Sequence, residues 1–135
     1  MKVFIVTMFL SLLVFAQSSV VNTYLKTLNS EVLKKDSTFK GFDSKRGEII
    51  FTSKHIGKKG KDISCVSCHG NDLSNKGENF FTGKVIDPLS PSTNVERLSN
   101  LKNIKKWLRR NFKDVYKREG TAKEKGDVLV YIMSK

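Results

Sequence analysis

Cys65-Val66-Ser67-Cys68-His69 is the stretch on which the reading of this 135-residue chain turns. Two thiols three positions apart reach the two vinyl groups of one porphyrin edge, and the next residue turns its imidazole onto the iron from one face. The pentapeptide therefore reads as the attachment signature of one covalent haem c, with Cys65 and Cys68 as its tethers and His69 as a metal ligand. Three plainer readings fit less well. A thioredoxin-like pair wants a strand within a βαβ unit, and no such pattern is present. A zinc site needs four ligands, and the other candidate is His55. A disulfide between Cys65 and Cys68 closes too small a loop to stabilise much.

Working outward, these are the only two cysteines, so a small exported domain would lack long-range disulfides and would gain from a buried cofactor. Export is read from the N-terminus. Lys2 precedes an apolar run from Val3 to Phe15, and Ala16 and Ser18 supply small residues for cleavage. Residues 1–18 are expected to be a signal peptide, 19–38 an N-terminal helical extension and 39–135 the haem domain. An uncleaved anchor is the alternative, though the run is shorter than the roughly 18–20 residues a spanning helix needs. Either way the domain lies outside the cytoplasm, periplasmic or otherwise exported. Loss of Lys2 leaves 24 basic residues against 13 acidic, a net charge of +11. The lysines are scattered without interleaved stacking aromatics, which with export argues against nucleic acid, and the charge reads as a solvated surface able also to steer an acidic redox partner.

Val21, Tyr24, Leu25, Leu28 and Val32 recur at helical spacing. A second helix is expected from Asp43 to about His55, capped by Asp43 or Ser44, with Gly47 and Phe51 one turn apart on one face. Gly47 would let the backbone approach the terminal helix, and Phe51 would pack on Tyr131 or Val128. The segment 57–64 reads as a loop, and 82–94 as a long one punctuated by Pro88 and Pro91, of the kind that covers something. This loop is expected to lie beneath His69, with a carbonyl near Pro88 accepting from its ring. A third helix from Ser99 to Arg110 would turn Leu101, Ile104, Trp107 and Leu108 inward. The last opens with the capping box Thr121-Ala122-Lys123-Glu124 and buries Val128, Leu129, Tyr131 and Ile132. No alternating strand pattern appears.

The second axial ligand is less apparent. Met133, near the end of the last helix, reads as packing or a frayed end. His55 reads as a cap at a helix end, although as a ligand it would make a closed low-spin site. What remains is an open iron or an unusual ligand such as Asn or Lys, hence a site that outside ligands can enter.

Arg46-Gly47 with Phe51, Ser64-Cys65-x-x-Cys68-His69-Gly70, the loop Thr82-Gly83-Lys84-x-Ile86-x-Pro88-Leu89-x-Pro91-Ser92, Arg97, Lys106-Trp107-Leu108, Arg110-Asn111 and Thr121-x-x-Glu124-Lys125 together resemble the sphaeroides haem protein family of monohaem cytochromes c. The resemblance covers nearly the whole mature chain. It implies an all-α, class I cytochrome c-like domain of four to five helices with long loops around one haem. It further implies that Asn111 is the second iron ligand, displaced by dioxygen or nitric oxide, and that a dihaem cytochrome is the electron partner. Trp107, one turn before Asn111, would then share its face against the haem. Family members often carry a disulfide beside this asparagine, and here Phe112 and Gly120 stand at those positions. The expected function is electron transfer with other exported or membrane-bound cytochromes, at a haem whose weak ligand a diatomic gas displaces. The alternative is a plain electron carrier with a closed low-spin haem.

Overall fold

The computed structural model describes the backbone of residues 4–135 and the side chains of residues 19–135. The leader expected over 1–18 lies outside the residues whose side chains are described. Helices α1 (Phe4–Leu33), α2 (Ser44–Thr52), α3 (Val66–His69), α4 (Leu101–Tyr116) and α5 (Ala122–Met133) form the all-α framework. Among the described residues no helix is long and apolar enough to cross a membrane.

The C-terminal half of α1 buries Val21, Tyr24, Leu28 and Val32, the stripe that its spacing predicts, and packs on α5 and α4. Asp43 caps α2 by accepting the Arg46 N–H at 2.7 Å, and α2 ends at Thr52, earlier than expected. This helix crosses α5 at Gly47, where an added Cβ would stand 2.0 Å from the Asp127 carbonyl oxygen. One turn on, the Phe51 ring lies 5.4 Å from that of Tyr131, the expected contact. The same crossing is pinned by a group that no local pattern announces. Asp127, 1% exposed, accepts from Arg46 Nε and Nη2, both at 2.9 Å, and from the Asp43 N–H at 2.7 Å.

Helix α4 runs six residues beyond its expected end at Arg110. Its buried line is Ile104, Leu108, Phe112 and Val115, and Lys117 closes it in the left-handed conformation at φ 56°. Leu101 and Trp107, expected inside, are 38% and 43% exposed. Two short antiparallel ladders also form: β1 (His55–Ile56) with β2 (Asp62–Ile63), and β3 (Gly77–Glu78) with β4 (Val85–Ile86). Two-residue strands are too short to register as alternation, which is why the sequence reads as loop there.

The capping box of α5 forms as read: Thr121 Oγ1 accepts the Glu124 N–H, and Glu124 accepts the Thr121 N–H at 2.8 Å. Arg118 adds a two-pronged contact to Glu124 at 2.8 and 2.6 Å. Arg118 and then the Thr121 bonds hold the Glu124 carboxyl down at about 2, against an ordinary value of 4.5. A lowered acid stabilises the folded state above its unfolded value and loses that contribution as the pH falls through the folded one. Glu124→Gln should therefore cost about 1 kcal/mol at pH 7 and progressively less between pH 4.5 and 2, as read by urea denaturation at a series of pH values. A constant difference down to pH 2 would show that the charge contributes nothing.

Candidate functional site: the attachment turn and its surroundings

Cys65 precedes the single turn α3, and its carbonyl accepts the N–H groups of Cys68 at 3.2 Å and His69 at 3.1 Å. The turn is anchored from both sides. The Phe51 carbonyl at the end of α2 accepts the Cys65 N–H at 3.1 Å, and the Ser67 hydroxyl accepts that of the buried Ser64 at 3.0 Å. Gly70, at φ 72°, then turns the chain away, a conformation that glycine adopts without strain. On the far side, Gly77 in β3 packs so closely that a Cβ would lie 2.1 Å from the Cys68 carbonyl oxygen. The next loop residues bring the Phe80 N–H to 3.3 Å from Cys68 Sγ.

The donor set fits haem c. Both thiols are free. Burial, and then the neighbouring Cys68, push the Cys65 thiol up to about 12, which keeps it protonated rather than a standing anion. Burial, reinforced by the cation of Arg97, pushes His69 down to about 4. Its ring is thus neutral at physiological pH and offers a lone pair to a metal. Phe51 lies beside that ring, 5.9 Å between centroids. Among the described residues no cluster of three His, Cys, Asp or Glu forms, so the zinc reading has no ligand set there.

The loop around Pro88 differs from expectation in one bond. The Pro88 carbonyl accepts from Arg97 Nε at 2.9 Å and Asn94 Nδ2 at 3.1 Å, and Arg97 Nη2 also reaches the Asp87 carbonyl at 2.8 Å. Both lone pairs are engaged, and no described carbonyl accepts from the His69 ring. A charged guanidinium is the stronger donor, and its two-pronged reach along consecutive carbonyls fixes this loop. Further along, Ser90, fully buried, donates to the Lys135 carbonyl at 2.7 Å, while its N–H bonds the Leu73 carbonyl at 2.9 Å. Arg97 was visible in the sequence only as part of the family resemblance. Nothing in its neighbours marks it as the brace of Pro88.

Asn111 lies inside α4, five residues before its end. It is half-buried, and its side-chain amide makes no hydrogen bond to a described residue. Trp107, one turn earlier, is flanked by Lys106 Nζ at 4.9 Å and the Arg110 guanidinium at 5.1 Å from its ring centre. Phe112 and Gly120, the positions at which the resemblance implies a disulfide in other members, do meet here: a Cβ on Gly120 would lie 2.8 Å from three carbons of the Phe112 ring. An aromatic ring fills that space.

His55 is not at a helix end. It lies in β1, paired with Ile63, its ring 4.1 Å from that of Tyr116, whose hydroxyl donates to the Ile50 carbonyl at 2.6 Å. Its Nε2 is buried and has no partner among the described residues. The early end of α2 accounts for the change, since the cap role needed the helix to continue. Met133, 37% exposed, closes α5 as a chain-end residue.

Residues 37–132 match the family described as "Domain of unknown function (DUF1924)". The chain is 39% identical over 90 residues to the cytochrome c-type protein SHP of Cereibacter sphaeroides, covering 67% of this chain and 69% of that protein. The structure of oxidised SHP, described as an oxygen-binding cytochrome c, superposes with a TM-score of 0.69 at 32% identity, over 82% of this chain and 96% of that one. Cytochrome c'' of Methylophilus methylotrophus is 31% identical over 88 residues, which are 65% of this chain and 61% of that protein. Its oxidised crystal structure shares the fold, with a TM-score of 0.75 over 90% of this chain and 96% of that one at 24% identity.

Proposed function

We propose that this chain, which belongs to the DUF1924 family and to the sphaeroides haem protein group of c-type cytochromes and carries haem c, is an exported electron carrier whose iron has a weak, displaceable second ligand in the Asn111 amide. When bound, the haem supplies one-electron chemistry and an iron position that small ligands compete for. Cys65 and Cys68 tether it, and His69 offers a neutral imidazole from the end of α3. Arg97 holds the Pro88 loop and sets a positive charge near His69. The observation that carries the reading is the Asn111 amide itself: half-buried within α4, one turn after Trp107, and unbonded to any described residue. An amide oxygen is a neutral, weak donor, so dioxygen, nitric oxide or carbon monoxide competes with it. The oxygen binding ascribed to SHP agrees with this. Its electron partner is another exported or membrane-bound cytochrome, a dihaem cytochrome by resemblance.

A ligand that occupies a site most of the time multiplies the apparent affinity of a competitor by the free fraction. Asn111→Ala should therefore raise the apparent carbon monoxide affinity of the reduced protein about tenfold, if the amide holds roughly nine-tenths of the population. Thioether attachment should survive, as read by haem that resists acid-acetone extraction. Unchanged carbon monoxide binding would remove Asn111 from the site.

One observation favours the rival, a closed low-spin carrier: the buried, unpartnered Nε2 of His55. His55→Ala separates the two. The visible spectrum stays as it was if His55 is structural, and turns from low-spin to open if it is the ligand.

A further inference from the structure

The β3–β4 hairpin lies against the attachment turn and ends in an apolar tip. The Phe80 N–H, 3.3 Å from Cys68 Sγ, is the point at which this hairpin meets the haem tether. Phe80 and Val85 are nevertheless 50% and 67% exposed. Phe81 packs edge-on against Phe80 at 5.3 Å, and Lys58 and Lys59 from the neighbouring turn place their ammonium groups 5.3 and 5.9 Å from its ring centre. Lys84 is exposed on the same hairpin. Asp62 lies in β2, Glu78 in β3 and Asp87 directly after β4, and Asp114 is already paired with Lys58 at 3.4 Å.

From this juxtaposition we infer that the Phe80–Val85 tip, with Lys58, Lys59 and Lys84 around it, is the surface on which an acidic redox protein docks to exchange electrons with the haem. The inference rests on the carrier reading above and names the partner's chemistry. Exposed aromatics ringed by charge have the anatomy of a binding interface, whose centre desolvates while its rim steers the encounter. The partner is acidic because the rim is basic. A second copy of a chain with net charge +12 would be repelled rather than drawn to it. The tip also touches the part-buried sulfur of Cys68, so a partner seated there is close to the residue that would tether the haem. The step itself transfers one electron from the reduced partner to ferric haem, with no bond made or broken.

A plant-type [2Fe–2S] ferredoxin, strongly acidic and low in potential, serves as the probe against the holoprotein. At about 10 mM ionic strength, where the Debye length is near 30 Å, Lys59→Glu/Lys84→Glu should slow its second-order oxidation about tenfold or more. The pair Lys34→Glu/Lys35→Glu, the same charge change at the end of α1, should stay within about twofold. Phe80→Ser, which keeps every charge, should weaken the complex while leaving its salt dependence in place. Binding of oxidised ferredoxin, followed by amide NMR, decides the surface without any electron transfer: shifts should centre on residues 58–61 and 79–85. Shifts centred on the basic face of α4, equal slowing by both lysine pairs, or no binding at low salt would overturn the assignment. Dithionite, which needs no docking, should reduce every variant at the wild-type rate. A haem that dithionite cannot reduce would refute the carrier reading and leave the NMR result to judge the surface.

Discussion

Arg46→Met is expected to lower the stability of the holoprotein by about 3–5 kcal/mol, whereas Asp127→Asn should cost only about 1–2 kcal/mol. The asymmetry comes from where each charge sits. The Asp127 side chain is 2% exposed, and the Arg46 side chain is 42% exposed. Without Arg46, a buried carboxylate keeps one donor, the Asp43 N–H, and carries its desolvation cost uncompensated. With asparagine at 127 the buried charge is gone. One oxygen can still accept from Asp43, and the arginine turns its head to water while keeping the Gly41 carbonyl, which it contacts at 2.9 Å. Urea denaturation of both variants, followed by far-UV circular dichroism, measures the difference. An Asp127→Asn loss equal to or above that of Arg46→Met would show that the carboxylate, and not its burial, governs the crossing.

Gly47→Ala is the other large effect, about 3 kcal/mol, at the upper end for an overpacked position. Its new Cβ would meet the backbone of Asp127 at 2.0 and 2.6 Å and the Cβ of Tyr131 at 2.7 Å. None of these is the flexible end of a side chain, so α2 must move off α5. The shift then propagates, since Phe51 loses its seat against Tyr131 while its carbonyl holds the Cys65 N–H. Weakened near-UV circular dichroism and a lower yield of attached haem should accompany the lost stability. A variant within about 0.5 kcal/mol of wild type, the range of an ordinary surface change, would disprove the close approach.

The parts of this molecule that were legible in its sequence are those whose determinants lie within a turn or two of chain. The apolar stripe of α1, the capping box of α5 and the Asp43 cap are all local patterns, and each stands where the sequence puts it. Helix α4 reads as ending at Arg110 because Arg109-Arg110 has the look of a basic last turn. Phe112 and Val115 continue the buried line of Ile104 and Leu108, and burial outweighs end signals. Trp107, expected on that line from its spacing, lies beside it. The Arg46–Asp127 pair spans 81 residues, and the Arg97 brace of Pro88 depends on a loop folding back, so neither leaves a mark that periodicity detects. The position of His55 turns on a single element boundary: with α2 ending at Thr52, the histidine passes into β1 and under Tyr116. At the candidate site, spacing alone singles out Cys65, Cys68 and His69 as candidates, while Asn111 enters only through family likeness.

The ring of Phe112 against Gly120 has a consequence for how the chain is matured. A chain with a second cysteine pair offers four thiols, three ways to pair them, and a need to reduce one pair while sparing the other. Here the thiols are Cys65 and Cys68 and nothing else. In an oxidising compartment a single disulfide can form within the molecule, and one two-electron reduction returns both sulfurs to the thiols that haem attachment requires. A chain with an aromatic ring at this place and no second cysteine pair thus has no sorting problem in biosynthesis, and any reductant able to reach Cys65 and Cys68 suffices to prepare the polypeptide for its cofactor.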